Sequence, residues 1–371
     1  MSYVIQDRIE VSVLFGELNY PLGQLNSLNF LHMGSSIRML VPTLCIGITD
    51  QMGIMNTGIL KDGLQIRVVI KPVGSTESMT HRFVLSGLKY TNTGMGTQFT
   101  VYGYGGNTLY FAGTSTEGIR ASSNEVIEQI ANRCGLTYDG TDTNDVQLWM
   151  PQNRLNSVFA RRTAGAGYVD NRSLMKLGLC MNGTLRYKNL NSVTDLKLRL
   201  LQGKTEKGFL PIVDHAPKVE NGSSNVFSGY ALQRFKQSTE TPGVEDTLTF
   251  IPDSRTPMID VEMKSRIKRG LADFGPLDFG NTNESYDKAL YQNRRYSSLY
   301  SVGCDFLTVY HSGLLLLDRI EFTGEQESGE TNDSVTGQYV VSGHAILVQG
   351  PNYYEKIEGF RQGTNWSSNG N

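Results

Sequence analysis

At 371 residues the chain exceeds what one hydrophobic core usually holds, so two or three domains are expected. Its 34 basic and 36 acidic side chains nearly balance, which argues against a broad surface for nucleic acid or anionic membrane. Forty glycines, 18 tyrosines and 15 phenylalanines among short apolar runs indicate many strands and tight turns, without low-complexity tracts.

From Ile9 to about Tyr104 the pattern is that of strands. Val11, Val13 and Phe15 alternate, and Leu40 to Ile48 is largely apolar. Asp62-Gly63 signals a turn before Leu64, Ile66, Val68 and Ile70, a period-two strand. Phe83, Leu85 and Leu88 to Tyr90 follow, then Phe99, Val101 and Tyr104. No convincing long helix interrupts them, so residues 1-106 are expected to form a small barrel or sandwich, the barrel being preferred.

The character changes after Gly106. Ser122 and Glu125 have the spacing of a capping box, and Val126, Ile127, Ile130, Ala131 and Cys134 line one helical face that Gly135 terminates. Tyr138 to Asp145 reads as a solvated polar loop and Val146 to Met150 as a short strand. Asn156 is expected to cap a second helix through Phe159 that ends at Ala164-Gly165-Ala166-Gly167. Leu177 to Leu190 reads as a hairpin with Asn182-Gly183 at its tip. Residues 107-204 thus form a small α/β insert.

Strand signals return from Asn225. Val226 to Phe235, Thr247 to Ile251, Tyr300 to Tyr310, Leu314 to Phe322 and Tyr339 to Val348 are candidates to close a second barrel over residues 205-350. Met263 to Leu271 and Glu284 to Tyr291 read as short helices or elaborated loops, and Gly324 to Gly337 as an acidic loop. The run from Tyr339 to Val348 enters a core, bends at Gly343 and stops at Gly350-Pro351. Residues 351-371 are a C-terminal extension whose Gly-, Ser- and Asn-rich part from Gly359 reads as a mobile tail.

No catalytic constellation emerges. Gly203-Lys204-Thr205 imitates the end of a phosphate-binding loop, but Leu198 stands where its first glycine is needed. Gly103-Tyr104-Gly105 and Gly165-Ala166-Gly167 begin like dinucleotide fingerprints, but Thr108 and Asp170 replace the third glycine. His32, His81, His215, His311 and His344 are scattered, and His344 reads as a structural histidine bonded to backbone. Asp139, Asp142 and Asp145 lack the continuation of a calcium loop. Cys45, Cys134, Cys180 and Cys304 have no CxxC spacing and read as buried thiols of a chain folded in a reducing cytosol. The first residues, MSYVIQDRIEV, have no signal-peptide layout, and the longest aliphatic run, Leu314 to Leu317, is far too short to span a bilayer. Lys264, Arg266, Lys268 and Arg269 form the one dense basic cluster, read either as a solvated surface or as a contact for an acidic neighbour.

Two stretches carry a family resemblance. The first runs from Ser122 to Leu136, with Val126, Ile127, Ile130, Ala131 and Gly135 in place, followed by Phe159 to Gly167 and the Asn182-Gly183 hairpin. The second is Gly337-x-Tyr339-x-Val341-x-x-His344, then Tyr354 and Arg361. In this order they resemble bacteriophage baseplate hub proteins of contractile tails, the late control protein D-like tail hub family.

That resemblance implies a mainly β fold with a small α/β insert (α+β), holding two tail-tube-like antiparallel β-barrels in one chain. It implies a structural virion protein without catalytic residues, cofactor or metal. The subunit would form a homotrimeric ring that adapts a sixfold tail tube to a threefold spike around a channel. Expected partners are the tail spike protein, the tail tube, other baseplate proteins and a tape-measure protein; DNA would pass through without sequence-specific binding. The setting is the virion tail baseplate, assembled in the bacterial host cytoplasm, with no stable membrane insertion. Candidate interaction residues are Tyr353, Tyr354, Arg361, Trp366, Lys264, Arg266, Lys268 and Arg269. The alternatives are a hub component of a related secretion-system spike or a non-contractile tail tip and, in a different class, a cell-surface carbohydrate-binding module or glycosidase.

Overall fold

The computed structural model describes residues 3–5, 9–20, 22, 27–93, 96–170, 173–203, 206–219, 232–237, 245–250, 300, 302–324 and 335–361. The N-terminal strands are β1 Tyr3–Ile5, β2 Ile9–Phe15, β3 Leu18–Tyr20, β4 Leu28–Ser36, β5 Thr43–Asp50, β6 Gln65–Pro72, β7 Met79–Thr93 and β8 Gly96–Gly105. The next segment holds α1 Thr108–Phe111, β9 Thr114–Ser115, β10 Ile119–Ala121, α2 Ser123–Arg133, β11 Thr137–Gly140, β12 Gln147–Trp149, β13 Arg154–Leu155, α3 Asn156–Ala166, β14 Met175–Leu179 and β15 Thr184–Asn189. The remainder is β16 Leu196–Gln202, β17 Phe209–Ile212, β18 Asp214–Val219, β19 Leu232–Gln237, β20 Glu245–Phe250, β21 Val302–Thr308, β22 Arg319–Thr323, β23 Gly337–Gln349 and β24 Asn352–Arg361. The fold is mainly β. Among the described residues no helix is long and apolar enough to cross a membrane.

Fifteen strands join one sheet in the order β1-β2-β6-β7-β8-β5-β4-β23-β22-β16-β17, with β3 beside β2, β24 between β23 and β21, and β18 beside β21. Its hinge is β23. Residues 337–340 pair with β22, and residues 343–349 pair with β4. Between these two halves the pairing to β24 slips at Val341/Gly343. A bulge of this kind bends a strand and re-aims its side chains. Gly343 leaves room there for the Glu358 side chain, whose carboxylate would lie 2.7 Å from a Cβ and would have to move aside for one. Tyr339, Val340 and Val341 accordingly enter one hydrophobic core, and Ile346 and Val348 another.

The core that takes Ile346 and Val348, the first in chain order, is built by the inward residues of β2 and β4 to β8 and completed by Tyr353 and Met181. The second takes Leu200, Leu210, Ile212, Phe306, Ile320, Phe322 and Phe360. A third joins α2 and α3 to Trp149, Leu185 and Tyr187. Ser122 caps α2 with the reciprocal Glu125 bonds that the spacing predicts. Residues Cys180 to Gly183 turn the β14–β15 hairpin: Gly183 donates to the Cys180 carbonyl at φ +86°, a region that favours glycine.

Several expectations need correction. Asn156 does not cap α3: it is the first helical residue, and its amide turns inward to the Ser115 hydroxyl and the Leu109 carbonyl. The apolar run Leu314 to Leu317 is a buried loop before β22 rather than part of it, pinned by Leu317 N to Val341 O and by Asp318 accepting from Leu315 N. Strands β19 and β20 pair with each other in a separate ribbon, outside the large sheet. β16 runs parallel to both β17 and β22, so the sheet is not wholly antiparallel. Gly359 to Arg361, which composition assigns to the tail, complete β24. Met263 to Leu271 and Glu284 to Tyr291 lie outside the described residues.

Candidate functional site: two buried polar junctions and a charge-poor face

The first junction lies where the first and second cores meet. On β24, Tyr353, Glu355 and Ile357 share the inward register, so the fold commits a carboxylate to the interior. Glu355 is fully buried and saturated with donors. His344 Nε2 lies 2.6 Å and His311 Nδ1 3.1 Å from its oxygens, the Tyr353 hydroxyl donates at 2.8 Å, and the Ser312 amide and hydroxyl complete the set. Burial works to raise this carboxyl, but the charge of His344 and the hydrogen bonds from His311 and His344 hold it well below the usual carboxylate range. A carboxylate only accepts, so both imidazoles donate.

His81 on β7 faces the same place, its ring 6.4 Å from that of His311 and set edge-on. It is 1% exposed, and neither of its ring nitrogens has a hydrogen-bond partner; His311 Nε2 has none either. Burial, reinforced by His311 and His344, pushes the His81 imidazole down to about 3. The sequence treats these histidines as scattered; the fold brings three of them together. His344 is bonded to a carboxylate rather than to backbone.

The second junction ties the insert to the second core. Arg186 on β15 donates to the Leu316 carbonyl at 2.6 Å, to Asp318 at 2.7 Å and to Asp139 at 2.9 Å, and Asp139 also receives Lys188. Burial alone would lower the Arg186 guanidinium, but Asp318 and Asp139 hold it above its ordinary value. The segment read as a solvated loop is therefore structural. Asp145, 2% exposed, accepts from Ser123 N and Tyr168 N, and Asp142 accepts from Asn124. No group of three or more His, Cys, Asp or Glu among the described residues is arranged to hold a metal ion.

The structure separates the candidate interaction residues. Tyr353 is buried on Glu355, and Arg361 is buried with its guanidinium on the Thr336 carbonyl and 4.9 Å from the Tyr339 ring. Both thus have intramolecular partners. Tyr354 is half-buried on the opposite side of β24. Trp366, Lys264, Arg266, Lys268 and Arg269 lie outside the described residues.

Tyr354 belongs to a row that crosses the sheet. The registers align it with Leu347, His32, Cys45 and Tyr102 on β23, β4, β5 and β8. Leu347 and Tyr102 are 37% and 43% exposed, and Cys45 is half-buried on this outer face rather than in a core. Along these four central strands the outward positions within residues 345–349, 30–34, 43–47 and 100–104 include no Asp, Glu, Lys or Arg. Buried Cys180 and Cys304 are thiols pushed up to about 12, mainly by burial.

No protein-family model and no curated protein sequence matches the chain. Solved structures do. A tail protein from Neisseria meningitidis MC58 is 10% identical, with 95% of this chain and 96% of that chain covered and a TM-score of 0.63. The 43 kDa tail protein of prophage MuSo2 from Shewanella oneidensis is 12% identical, covering 95% of this chain and 98% of that one at 0.62. The fold is that of phage tail proteins. A chain of the Francisella PdpA-VgrG complex, 9% identical, aligns with 96% of this chain at 0.53, and this chain spans about half of its length (53%).

Proposed function

We propose that this chain is a structural protein of a phage tail, the central hub of the baseplate, acting as a homotrimeric ring between tail tube and spike. The observation that carries this reading is the end-to-end fold likeness to two phage tail proteins, which leaves almost none of either chain unmatched. In this reading residues 1-106 and 205-350 are two tube-like barrels and 107-204 an insert.

The mechanism is mechanical and geometric. Backbone hydrogen bonds across β4–β23 make the two cores one continuous sheet, so a load on one reaches the other without crossing a flexible linker. The charge-poor outer face over that seam fits a surface that faces neighbouring subunits or an enclosed channel better than one in bulk water. Partners would be the spike, the tube, other baseplate proteins and a tape-measure protein, with DNA passing unread. The likeness to the Francisella complex favours a secretion-system spike component as the second reading.

Negative-stain microscopy of the purified chain tests the proposal, alongside an assay for peptidoglycan and glycan turnover. Rings with a central hole and no turnover support the hub. Isolated particles that hydrolyse or bind glycan identify the cell-surface module or glycosidase instead.

A further inference from the structure

The His81–Glu355 junction does more than fill space between two cores. It joins elements remote in sequence: β7 of the first core, the loop after β21, and β23 and β24, which serve both cores. The loop lies against β7 directly, with a Cβ at Gly313 falling 4.0 Å from Met79 Cε. The next residue along β7, Arg82, donates its amide to Met181 O, so the insert hairpin also reaches this place.

The titratable groups facing the site are His81 from β7, His311 from the loop, His344 from β23, and Tyr353 and Glu355 from β24. β6 opposes His81 with Val68, β4 opposes His344 with Ser35, and the hairpin contributes Met181; none of these carries charge. One carboxylate therefore faces three imidazoles and is bonded to two of them. Both of its oxygens are already occupied, and His81 and the Nε2 of His311 have no acceptor within reach.

We infer that this cluster is an acid-sensitive latch, closed at neutral pH and released when His81 takes up a proton, because the single buried carboxylate is already bonded to His311 and His344 and has no oxygen left for a third imidazole. Glu355 can neutralise one imidazolium. A second, on a ring 6.4 Å away and without an acceptor, is a buried unpaired charge next to a like charge. Water reaches it most directly if β7 moves off the 311–313 loop. The device would let mild acid loosen the seam between the two cores while the third core stays folded, whatever partners the chain has.

Hydrogen exchange of the full-length chain between about pH 7.5 and about pH 5, corrected for intrinsic rate, tests this. Peptides covering Met79–Val84 and Thr308–Leu314 are expected to open about tenfold more at the lower pH, while the α2 peptide does not change. His81→Phe should reduce that rise to less than about twofold, and His32→Phe, on the exposed outer face, should leave it intact. If His81→Phe does not fold, His81→Leu, which likewise cannot titrate, is expected to reduce the rise in the same way. Equal protection at both pH values overturns the latch. So does a rise that survives both substitutions, or an α2 peptide that opens in parallel, which is global acid unfolding.

Discussion

The two buried junctions solve the same problem with different chemistry. Arg186 carries a permanent charge between two carboxylates and a carbonyl. The Glu355 junction is built instead with histidines, whose charge depends on whether they are protonated. The insert is thus fixed to the second core by a constant charge, and the first core to the second by a conditional one. Burying a polar cluster is not in itself a route to stability. What the comparison teaches is that residue type decides which of two polar seams responds to conditions.

Breaking the permanent junction should have the largest effect. Arg186→Ala strands Asp318 and the Leu316 carbonyl and should cost about 3–5 kcal/mol, measured by urea unfolding and equal at pH 5.5 and 7.5 to within about 0.5 kcal/mol. Glu355→Gln should come next, at about 2–4 kcal/mol at neutral pH, because the amide cannot accept the donors that now converge on two oxygens. Ser122→Ala touches neither junction. It removes the α2 cap and should cost about 1 kcal/mol, with no change in pH dependence.

The smallest effect at neutral pH separates the two seams most sharply. His81→Phe replaces an imidazole without hydrogen-bond partners by an apolar ring and should shift stability by less than about 1 kcal/mol at pH 7.5. The folded pKa of His81 is lowered from 6.5 to about 3, so its contribution is present above 6.5 and is lost as pH falls. Wild-type stability should therefore decline by up to about 1.4 kcal/mol per pH unit below that point, and His81→Phe should flatten the decline. Glu355, also held low, acts in the same direction but below the ordinary carboxylate range. An unchanged slope in His81→Phe would remove the distinction between the seams.

Local chemistry was legible in the sequence. The capping box at Ser122, the Asn182-Gly183 turn and the bend at Gly343 each depend on a few neighbouring residues, and each is where the pattern places it. Strand alternation also reveals which side a residue faces: Glu355 falls in register with Tyr353 and Ile357, so a buried acid could have been read there. Alternation does not reveal which distant strands meet. His81 and His311 come together only because β23 changes partners from β22 to β4. The same limit hid Arg186, whose partners Asp318 and Leu316 sit in a loop that an apolar run disguises as strand. Asn156 was misread because a residue suited to capping can equally turn its amide inward when Ser115 and the Leu109 carbonyl need partners.

The central proposal is that the chain builds a ring of three. Its most direct test is the solution mass by light scattering after size exclusion, across a tenfold range of concentration. The account predicts a particle of three chains that persists on dilution. A chain that stays monomeric throughout contradicts it.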